Sequence, residues 1–505
     1  MDDILALTAV QQRRLIGQRA LSPVDLMQAC IARIEALNPG VNAIAATDFD
    51  RALAGARQAE AAVMRGDALP LLHGLPLGVK DLLETEGLLS TSGNIGWRGH
   101  VPAADNSLVA RLRAAGAIVT CKTNVPDMGA GANTRNAVWG ATGNPFNPLL
   151  NAGGSSGGSA VALATGMLPL CTGSDTGGSL RIPAALCGVV GLRPSPGLVS
   201  NRSRALGWSA ISVLGPMGRT VADAALLLAA SVGLDRQDAL SYDVQPASVW
   251  PLPEVDLSHL RIGFTEDFGF AAVDPDIRRV LHHRVAALAP HVASVEPLTP
   301  GLPDMSDADF AFDVVRAEAF LAGFAHADPA TLGPNVRANV EMARSITLAD
   351  RARAHTVQTR IARHFAQALE RVDLIVAPVV PVTPFPWTTL YAEQVDGQAM
   401  ANYYRWLALC YGVTLSTHPA LSLPTGRDEH GMPFGLQVVG RLRGDLDLLA
   451  AAQALEQVLA ANPATARPQP DLAPLRQPQP LLKSIVTHPP IHGGAPGGAG
   501  VSAPV

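Results

Sequence analysis

The chain has 505 residues, of which 48% are hydrophobic and 16% are charged, and its formal net charge is -5. This charge gives no basic field for a phosphate backbone, so the composition argues against direct nucleic-acid binding. The longest apolar runs are shorter than the roughly 18 residues that a membrane-spanning helix needs, which argues against a membrane protein. The amino acid usage is that of a soluble globular protein with a large core.

The five cysteines are scattered along the chain, at positions 30, 121, 171, 187 and 410. Their number is odd, and no pair has the spacing of a metal site or a redox motif. This predicts buried thiols in a reducing compartment and no metal centre. The N-terminal sequence MDDIL is acidic, whereas a secretory signal begins with basic residues. We therefore expect a cytoplasmic protein.

The first third of the chain predicts two helices followed by a buried strand. The segment SPVD at residues 22–25 is a serine N-cap followed by proline and an acid, and it predicts a helix that ends at residues 38–40. An alanine-rich helix is expected over residues 49–65. The short apolar run over residues 71–80 predicts a strand that ends on Lys80. A lysine is usually a solvated surface charge, but this position makes Lys80 a candidate functional residue.

The rest of the chain alternates between helical and strand patterns, with no internal repeat. Further helices are predicted over residues 108–115, 159–165, 221–232, 275–288, 306–369 and 446–459, and strands over residues 117–121, 167–172, 188–192, 260–264, 372–380, 421–426 and 434–440. A loop rich in glycine, asparagine and proline is expected between residues 125 and 151. Beyond about residue 468 the composition shifts to proline, glutamine, glycine and alanine, which predicts a domain over residues 1–470 and a disordered tail over residues 471–505.

Two serine clusters surrounded by glycine stand out in residues 151–197. The first reads GGSSGGS at residues 153–159, and the second reads DTGGS at residues 175–179. Glycine at this density is typical of places where φ is positive or where the backbone approaches another group closely. Consecutive free N–H groups beside a small hydroxyl are what an oxyanion hole and a nucleophile require.

Other interpretations of these clusters are less satisfactory. A phosphate-binding loop would need a lysine after the glycines, and none follows. A nucleophile elbow matches the GGSSG segment, but the prolines and asparagines of residues 144–151 make a poor leading strand, and none of the 13 histidines has a distinctive setting. Tight turns would explain either cluster alone. Two clusters joined by a predicted strand, after GVKD at residues 78–81, are harder to explain as turns.

At these motifs the sequence resembles the amidase signature hydrolases. The resemblance covers roughly residues 5–470, and it rests on GVKD at 78–81, KTN at 122–124, GGSSGGSA at 153–160, GSDTGGSLRIPAALCGVVGLRPSPG at 173–197 and the C-terminal segments PALSLPTG and GMPFGLQVVG. It implies an α/β fold, a single large domain with a twisted mixed β-sheet covered by helices on both faces. This replaces the two or three domains that length alone would suggest.

The resemblance also implies roles for individual residues. The implied catalytic triad consists of Lys80, a cis-peptide serine at Ser155 and the nucleophile Ser179, and the implied oxyanion hole is the backbone of Thr176, Gly177, Gly178 and Ser179. For Lys80 to act as a base, its pKa must fall from about 10.4 to roughly 7–8 through burial and hydrogen bonding. Supporting contacts are expected from Ser156, Asp175, Arg181 and Asn124, and Met128 and Trp139 are candidates for the border of the substrate pocket.

The implied reaction is hydrolysis of a small-molecule carboxamide through an acyl-enzyme, without a metal or organic cofactor. The alternative is the A subunit of a glutamyl-tRNA(Gln) or aspartyl-tRNA(Asn) amidotransferase, a glutaminase that passes ammonia to a partner protein. In such glutaminases an ENSAF-like sequence usually follows KTN, whereas residues 125–136 read VPDMGAGANTRN and favour a stand-alone amidase. A non-catalytic protein is disfavoured because all three triad positions are filled. Aryl, fatty, short aliphatic and cyclic amides all remain open, and a homodimer is one candidate oligomeric state.

Overall fold

The computed structural model describes residues 2–298, 305 and 307–492, in which helices and strands alternate along the chain. The strands are β1 (Ile44–Thr47), β2 (Pro76–Lys80), β3 (Ile118–Thr123), β4 (Arg135–Asn136), β5 (Gly140–Ala141), β6 (Gly143–Asn144), β7 (Asn147–Asn151), β8 (Leu170–Asp175), β9 (Val190–Arg193), β10 (Val213–Gly218), β11 (Arg261–Phe264), β12 (Ser294–Pro297), β13 (Leu374–Pro378), β14 (Gln394–Val395), β15 (Gln398–Ala399), β16 (Ala420–Arg427) and β17 (Pro433–Val439). The helices are α1 (Asp2–Ala6), α2 (Ala9–Gly17), α3 (Pro23–Val41), α4 (Phe49–Arg65), α5 (Ser107–Ala114), α6 (Gly157–Ala164), α7 (Arg181–Cys187), α8 (Val221–Ser231), α9 (Pro246–Val249), α10 (Pro275–Leu288), α11 (Ala308–Phe324), α12 (Pro334–Ser345), α13 (Leu348–Arg371), α14 (Ala408–Ser416) and α15 (Asp445–Ala460).

An 11-stranded mixed sheet runs through the molecule in the order β1-β3-β2-β8-β10-β9-β16-β17-β13-β11-β12. Strand β2 is parallel to its neighbours β3 and β8, and β11 is parallel to β12 and β13. The remaining neighbours in this sheet are antiparallel. Every residue of β2, β8 and β13 is buried, so both faces of the sheet are covered. The expected single α/β domain with helices on both faces is therefore confirmed.

The order of the strands brings the functional motifs to one edge of the sheet. Strands β2 and β8 are parallel neighbours, so their carboxyl ends, at Lys80 and Asp175, lie on the same side. The first serine cluster leads directly into α6, which packs on β8. At the start of α6, a Cβ on Gly158 would lie 2.2 Å from the backbone nitrogen of Asn124, so only glycine permits this approach.

Several element boundaries differ from the sequence-based expectations. Helix α3 continues past the predicted stop at residues 38–40 and ends at Val41. Asn42 then has a left-handed conformation, and the Asn38 side chain accepts hydrogen bonds from the backbone N–H groups of Ala43 and Ile44. The predicted helical stretch 306–369 consists of three helices, α11 to α13, interrupted before Pro334 and at the Thr347 cap. Its first residue, 306, lies outside the described residues.

The C-terminal segment 471–492 also differs from its expected disorder. The side chains of Leu475 and Leu482 are buried, although proline surrounds both of them in the sequence. Each carbonyl oxygen fits against a glycine that has no Cβ to block it, Gly40 for Leu475 and Gly140 for Leu482. Residues 493–505 of the predicted tail lie outside the described residues. None of the helices in the described ranges is long and apolar enough to cross a membrane.

Candidate active site

Lys80, at the end of β2, lies at the centre of a cluster of serine hydroxyls. Its side chain is fully buried, and its Nζ atom donates hydrogen bonds to Ser155 Oγ at 2.7 Å, Ser156 Oγ at 2.8 Å and Ser174 Oγ at 2.9 Å. The Ser174 carbonyl oxygen accepts a longer bond of 3.3 Å from the same atom. The structure thus brings Lys80 together with the predicted Ser155 and with Ser156, which was expected to support the site, and it adds Ser174, which sequence analysis missed.

The protonation of Lys80 is governed by its burial. Burial lowers the pKa of Lys80 from 10.5 to about 7, although the Asp175 carboxylate raises it. No carboxylate forms an ion pair with Lys80 among the residues described in the structure. An amine with such a pKa is partly neutral at physiological pH, and only a neutral amine can accept a proton.

Ser155, the hydrogen-bond partner of Lys80, lines the same cavity as Ser179. The peptide bond between Gly154 and Ser155 is cis, and the backbone N–H of Ser156 donates to the Ser179 carbonyl oxygen at 3.3 Å. The hydrogen bond between Ser156 and Ser179 joins the two serine clusters directly. Ser155 is almost completely buried, whereas Ser179 is half-buried and can be reached from the cavity. The arrangement can therefore present the Ser179 hydroxyl to a ligand with Ser155 and Lys80 behind it.

The four backbone N–H groups predicted for the oxyanion hole do not share one role. The N–H of Gly178 donates to Asp175 Oδ1 at 2.8 Å, so it is not free to meet a substrate oxygen, and the prediction is corrected at this residue. With φ at +127°, Gly178 has a conformation that turns this peptide towards the carboxylate. The N–H groups of Thr176, Gly177 and Ser179 have no partner in the described part of the chain. Three donors therefore remain on the cavity side.

Asp175 anchors the second serine cluster through a buried network of charges. Its carboxylate contacts Arg181 at 3.0 Å and Arg193 at 3.3 Å, and all three side chains are fully buried. Arg193 also donates to the Asp175 carbonyl oxygen at 2.7 Å. Burial would raise the pKa of Asp175, but the two guanidinium groups hold it well below its usual range. The predicted supporting roles of Asp175 and Arg181 fit this geometry, and Arg193 is an addition from the structure.

The remaining predicted residues, Asn124, Met128 and Trp139, differ in whether they line the cavity. Asn124 donates to Thr142 Oγ1 at 3.0 Å and accepts from Asn136 at 2.8 Å, so it braces the loop that follows β3. Met128 lines the cavity, as predicted. Trp139 does not line it, and its indole Nε1 donates to Thr91 Oγ1 at 2.8 Å. The prediction for Trp139 as a pocket residue is therefore wrong.

The cavity itself has a volume of about 80 Å³ and a mixed lining. Its lining includes Ser155 and Ser179 from the two serine clusters and the apolar residues Phe320, Phe324 and Leu407. Two arginines, Arg204 and Arg316, also face it. Neither arginine belongs to a motif, and no signal in the sequence separates them from other arginines of the chain.

Comparison with known proteins agrees with this geometry. The family described as Amidase matches residues 25–449. The A subunit of glutamyl-tRNA(Gln) amidotransferase from Roseiflexus castenholzii (strain DSM 13941 / HLO8) is 35% identical over 482 residues, which cover 91% of this chain and 97% of that protein. The protein of the same name from Picosynechococcus sp. (strain ATCC 27264 / PCC 7002 / PR-6) is 34% identical over 485 residues, which cover 90% of this chain and 98% of that protein.

Solved structures show the same fold. A bacterial aryl acylamidase of the amidase signature enzymes superposes with a TM-score of 0.82 at 27% identity, covering 90% of this chain and 96% of that one. A 6-aminohexanoate cyclic dimer hydrolase in complex with its substrate gives a TM-score of 0.76 at 28% identity, covering 93% of this chain and 99% of that one. The sequence motifs, the fold and the family match agree, and the chain belongs to the Amidase family.

Proposed function

We propose that this protein hydrolyses a carboxamide by nucleophilic catalysis at Ser179. The observation that carries the proposal is the 2.7 Å hydrogen bond between the buried Lys80 Nζ and Ser155 Oγ, next to the cavity that Ser155 and Ser179 share. A serine hydroxyl is a weak nucleophile and needs a nearby base. A lysine with its pKa lowered to about 7 provides that base, and Ser155 provides the route for the proton.

In the first half of the reaction, Ser179 Oγ attacks the carboxamide carbon and forms a new C–O bond. The hydroxyl proton passes to Ser155 Oγ, whose own proton passes to the neutral Lys80. The carbonyl oxygen becomes negatively charged and is met by the N–H groups of Thr176, Gly177 and Ser179. Preorganised donors of this kind are typically the largest single contribution to the rate of acyl transfer.

In the second half, the C–N bond breaks and an acyl-enzyme remains on Ser179. The proton held by Lys80 returns through Ser155 to the leaving nitrogen, so that ammonia or an amine departs without a charge. A water molecule then attacks the acyl carbon, and its proton passes through Ser155 to Lys80. The bond between the acyl carbon and Ser179 Oγ breaks, and that proton returns through Ser155 to Ser179 Oγ. The products are a carboxylic acid and the regenerated Ser179 hydroxyl, so protons and electrons balance over the cycle.

For the identity of the amide, we propose glutamine, with the protein acting as the A subunit of an amidotransferase. The support is that the curated relatives named above carry this name and align over at least 90% of this chain. This support outweighs the argument from residues 125–136, whose sequence favours a stand-alone amidase. The stand-alone amidase remains the second candidate, because the aryl acylamidase and the cyclic dimer hydrolase have the same fold at 27% and 28% identity.

Formation of ammonia or of a free amine from the amide is the measurement that tests both levels of this proposal. The protein is assayed on glutamine and on a panel of aryl, fatty, aliphatic and cyclic amides, alone and with the remaining subunits of a glutamyl-tRNA(Gln) amidotransferase. Glutaminase activity that depends on the other subunits supports the amidotransferase, and hydrolysis of simple amides by the isolated protein supports the stand-alone enzyme. Ser179→Ala is the blank, and Ser248→Ala, at an exposed surface serine, is the matched control.

A further inference from the structure

Arg316 places a buried positive charge on the wall of the candidate active site. It lies on α11 and lines the same cavity as Ser155 and Ser179. Its relative exposure is only 6%, so the guanidinium is largely removed from bulk water. Removing an arginine from water is costly unless its charge and its N–H groups find partners in the protein or in a ligand.

The charge of Arg316 has no carboxylate partner in the ranges that the structure describes. The acid one turn before it on α11, Asp313, is already bound to Arg405 at 2.8 Å and to the Tyr404 hydroxyl at 2.7 Å. The other arginine of the cavity, Arg204, contrasts with it, because both oxygens of Asp238 accept from its Nη2 atom, at 2.8 and 2.7 Å. Of the two cavity arginines, only Arg316 therefore presents an uncompensated charge.

The hydrogen-bonding capacity of Arg316 is also incompletely used. Its Nη2 atom donates to the Tyr403 hydroxyl at 2.5 Å, while its buried Nε atom has no hydrogen-bond partner. Tyr403 is itself held by Asn339, which donates to the same hydroxyl at 2.6 Å. The guanidinium is thus fixed from one side, and a buried donor is left over.

Aromatic rings hold the guanidinium in place without neutralising it. Its Cζ atom lies 4.7 Å from the ring centroid of Phe320, 5.0 Å from that of Tyr404 and 5.4 Å from that of Tyr403. Cation–π contacts stabilise the charged form of arginine and restrict its rotamers. A preorganised, unpaired guanidinium on the wall of a cavity is the arrangement that binds a carboxylate through two parallel N–H···O bonds.

We propose that Arg316 is a substrate-binding residue that recognises a carboxylate group on the amide substrate. The proposal rests on the proposed function, since the ligand it concerns is the amide whose carbonyl carbon Ser179 attacks. The substrate class is a short amide that carries a carboxylate elsewhere in the molecule. Glutamine belongs to this class, and aryl or fatty amides without an anionic group do not.

Ligand binding without turnover tests this inference. Ser179→Ala protein is titrated calorimetrically with two ligands of equal chain length, the monoamide of pentanedioic acid, which carries a carboxylate, and pentanamide, which does not. We expect the carboxylate ligand to bind about tenfold more tightly or better, since hydrogen bonds to charged groups are stronger than neutral ones. Equal affinity of Ser179→Ala protein for the two ligands would overturn the proposal. This result would need no substitution at position 316.

Substitutions at Arg316 then locate the effect. In the Ser179→Ala background, Arg316→Met is expected to remove the preference for the carboxylate ligand and to leave pentanamide binding unchanged. Arg316→Lys is expected to retain part of the preference, and Arg344→Met, at an exposed arginine of α12, all of it. If Arg316→Met is poorly folded, Arg316→Lys serves instead. A partial loss of the carboxylate preference in this variant supports the proposal, and an unchanged preference contradicts it. Equal weakening of both ligands would assign Arg316 to structural support and contradict the proposal.

The two proposals can fail separately. If no amide of the panel gives ammonia or an amine in a reaction that requires Ser179, the catalytic proposal is overturned. The calorimetric comparison needs no turnover and would still report on Arg316. Conversely, a protein that hydrolyses neutral and anionic amides equally well through Ser179 would keep its proposed reaction and lose the carboxylate site.

Discussion

The carboxylate of Asp175 raises the pKa of Lys80, against the larger lowering that burial causes. Asp175 itself is bound to two buried arginines and to the Gly178 N–H, so one residue supports the second serine cluster and also influences the base. The scaffold of the site and its protonation chemistry are therefore linked, and a change at Asp175 should alter both.

The pH dependence follows from the lowered pKa of Lys80. Its neutral fraction, which the reaction needs, increases as the pH rises through about 7. For an uncharged amide we expect kcat/KM to increase with a midpoint near this value, since kcat/KM reports groups of the free enzyme. Ammonia release measured across the neutral range checks this. A profile that is flat there, or that rises only near the ordinary pKa of lysine, would show that Lys80 is not the base.

Removing the charge of Asp175 is expected to affect stability more than any surface charge. Asp175→Asn leaves Arg181 and Arg193 buried without their anion, which should lower the free energy of unfolding by about 3–5 kcal/mol. Urea denaturation measures the change. The control is Glu341→Gln, which removes an exposed ion pair with Arg344 and should cost no more than about 1 kcal/mol. Similar losses in the two variants would contradict the bracing role of Asp175.

Asp175→Asn should also change the pH dependence of kcat/KM. Because the Asp175 carboxylate raises the pKa of Lys80, its neutralisation should move the rising limb of kcat/KM to lower pH. The sign of this shift distinguishes electrostatic coupling from simple loss of active protein, which would lower the plateau without moving the midpoint. A shift to higher pH would be incompatible with the proposed coupling.

A methyl group at Gly178 is expected to disrupt the oxyanion-binding backbone. Gly178 has φ of +127°, and an added Cβ would lie 2.5 Å from Ile182 Cδ1 and 2.7 Å from Cys410 Cβ. Although the Gly178 N–H is not itself an oxyanion donor, displacing this residue should shift the neighbouring N–H groups of Gly177 and Ser179. We therefore expect Gly178→Ala to lower kcat by about 10²–10³-fold, the loss typical of a missing oxyanion donor. The control is Gly431→Ala, where φ is also positive but no atom lies within 4 Å of the added Cβ. Comparable kcat values for the two variants would exclude this role for the loop.

The sequence was most informative where a motif and a strand end coincide. Lys80 and the two serine clusters stood out through the apolar run before Lys80 and through the glycine-rich segments, because such local patterns reflect backbone requirements. The choice of Ser155 and Ser179 within the clusters came from the resemblance to the amidase signature hydrolases. Ser174 and Arg193 were missed because their roles arise from side chains that meet only in the folded sheet. Arg316 could not be found either, since its cavity, rings and hydrogen-bond partner come from segments far apart in the chain.

The elements of the fold likewise divide into those that local sequence patterns predict and those that depend on contacts with distant parts of the chain. Most strands with continuous apolar runs were predicted, but β10 was not, because its sequence VLGPMG contains two glycines and a proline. It is nevertheless an interior strand, because β8 and β9 pair with it on either side. The tail segment 471–492 was misjudged because composition predicts the average behaviour of a stretch. It does not reveal that Leu475 and Leu482 each fit against a glycine of the domain.

The central claim is that Ser179 carries the acyl group during turnover. The most direct test is peptide mass spectrometry of the protein after rapid acid quenching of the reaction with its best amide substrate. The account predicts an adduct with the mass of the acyl group on the peptide that contains Ser179, and no adduct in Ser179→Ala protein. Turnover with the acyl group on another residue, or an adduct that persists in Ser179→Ala, would contradict it.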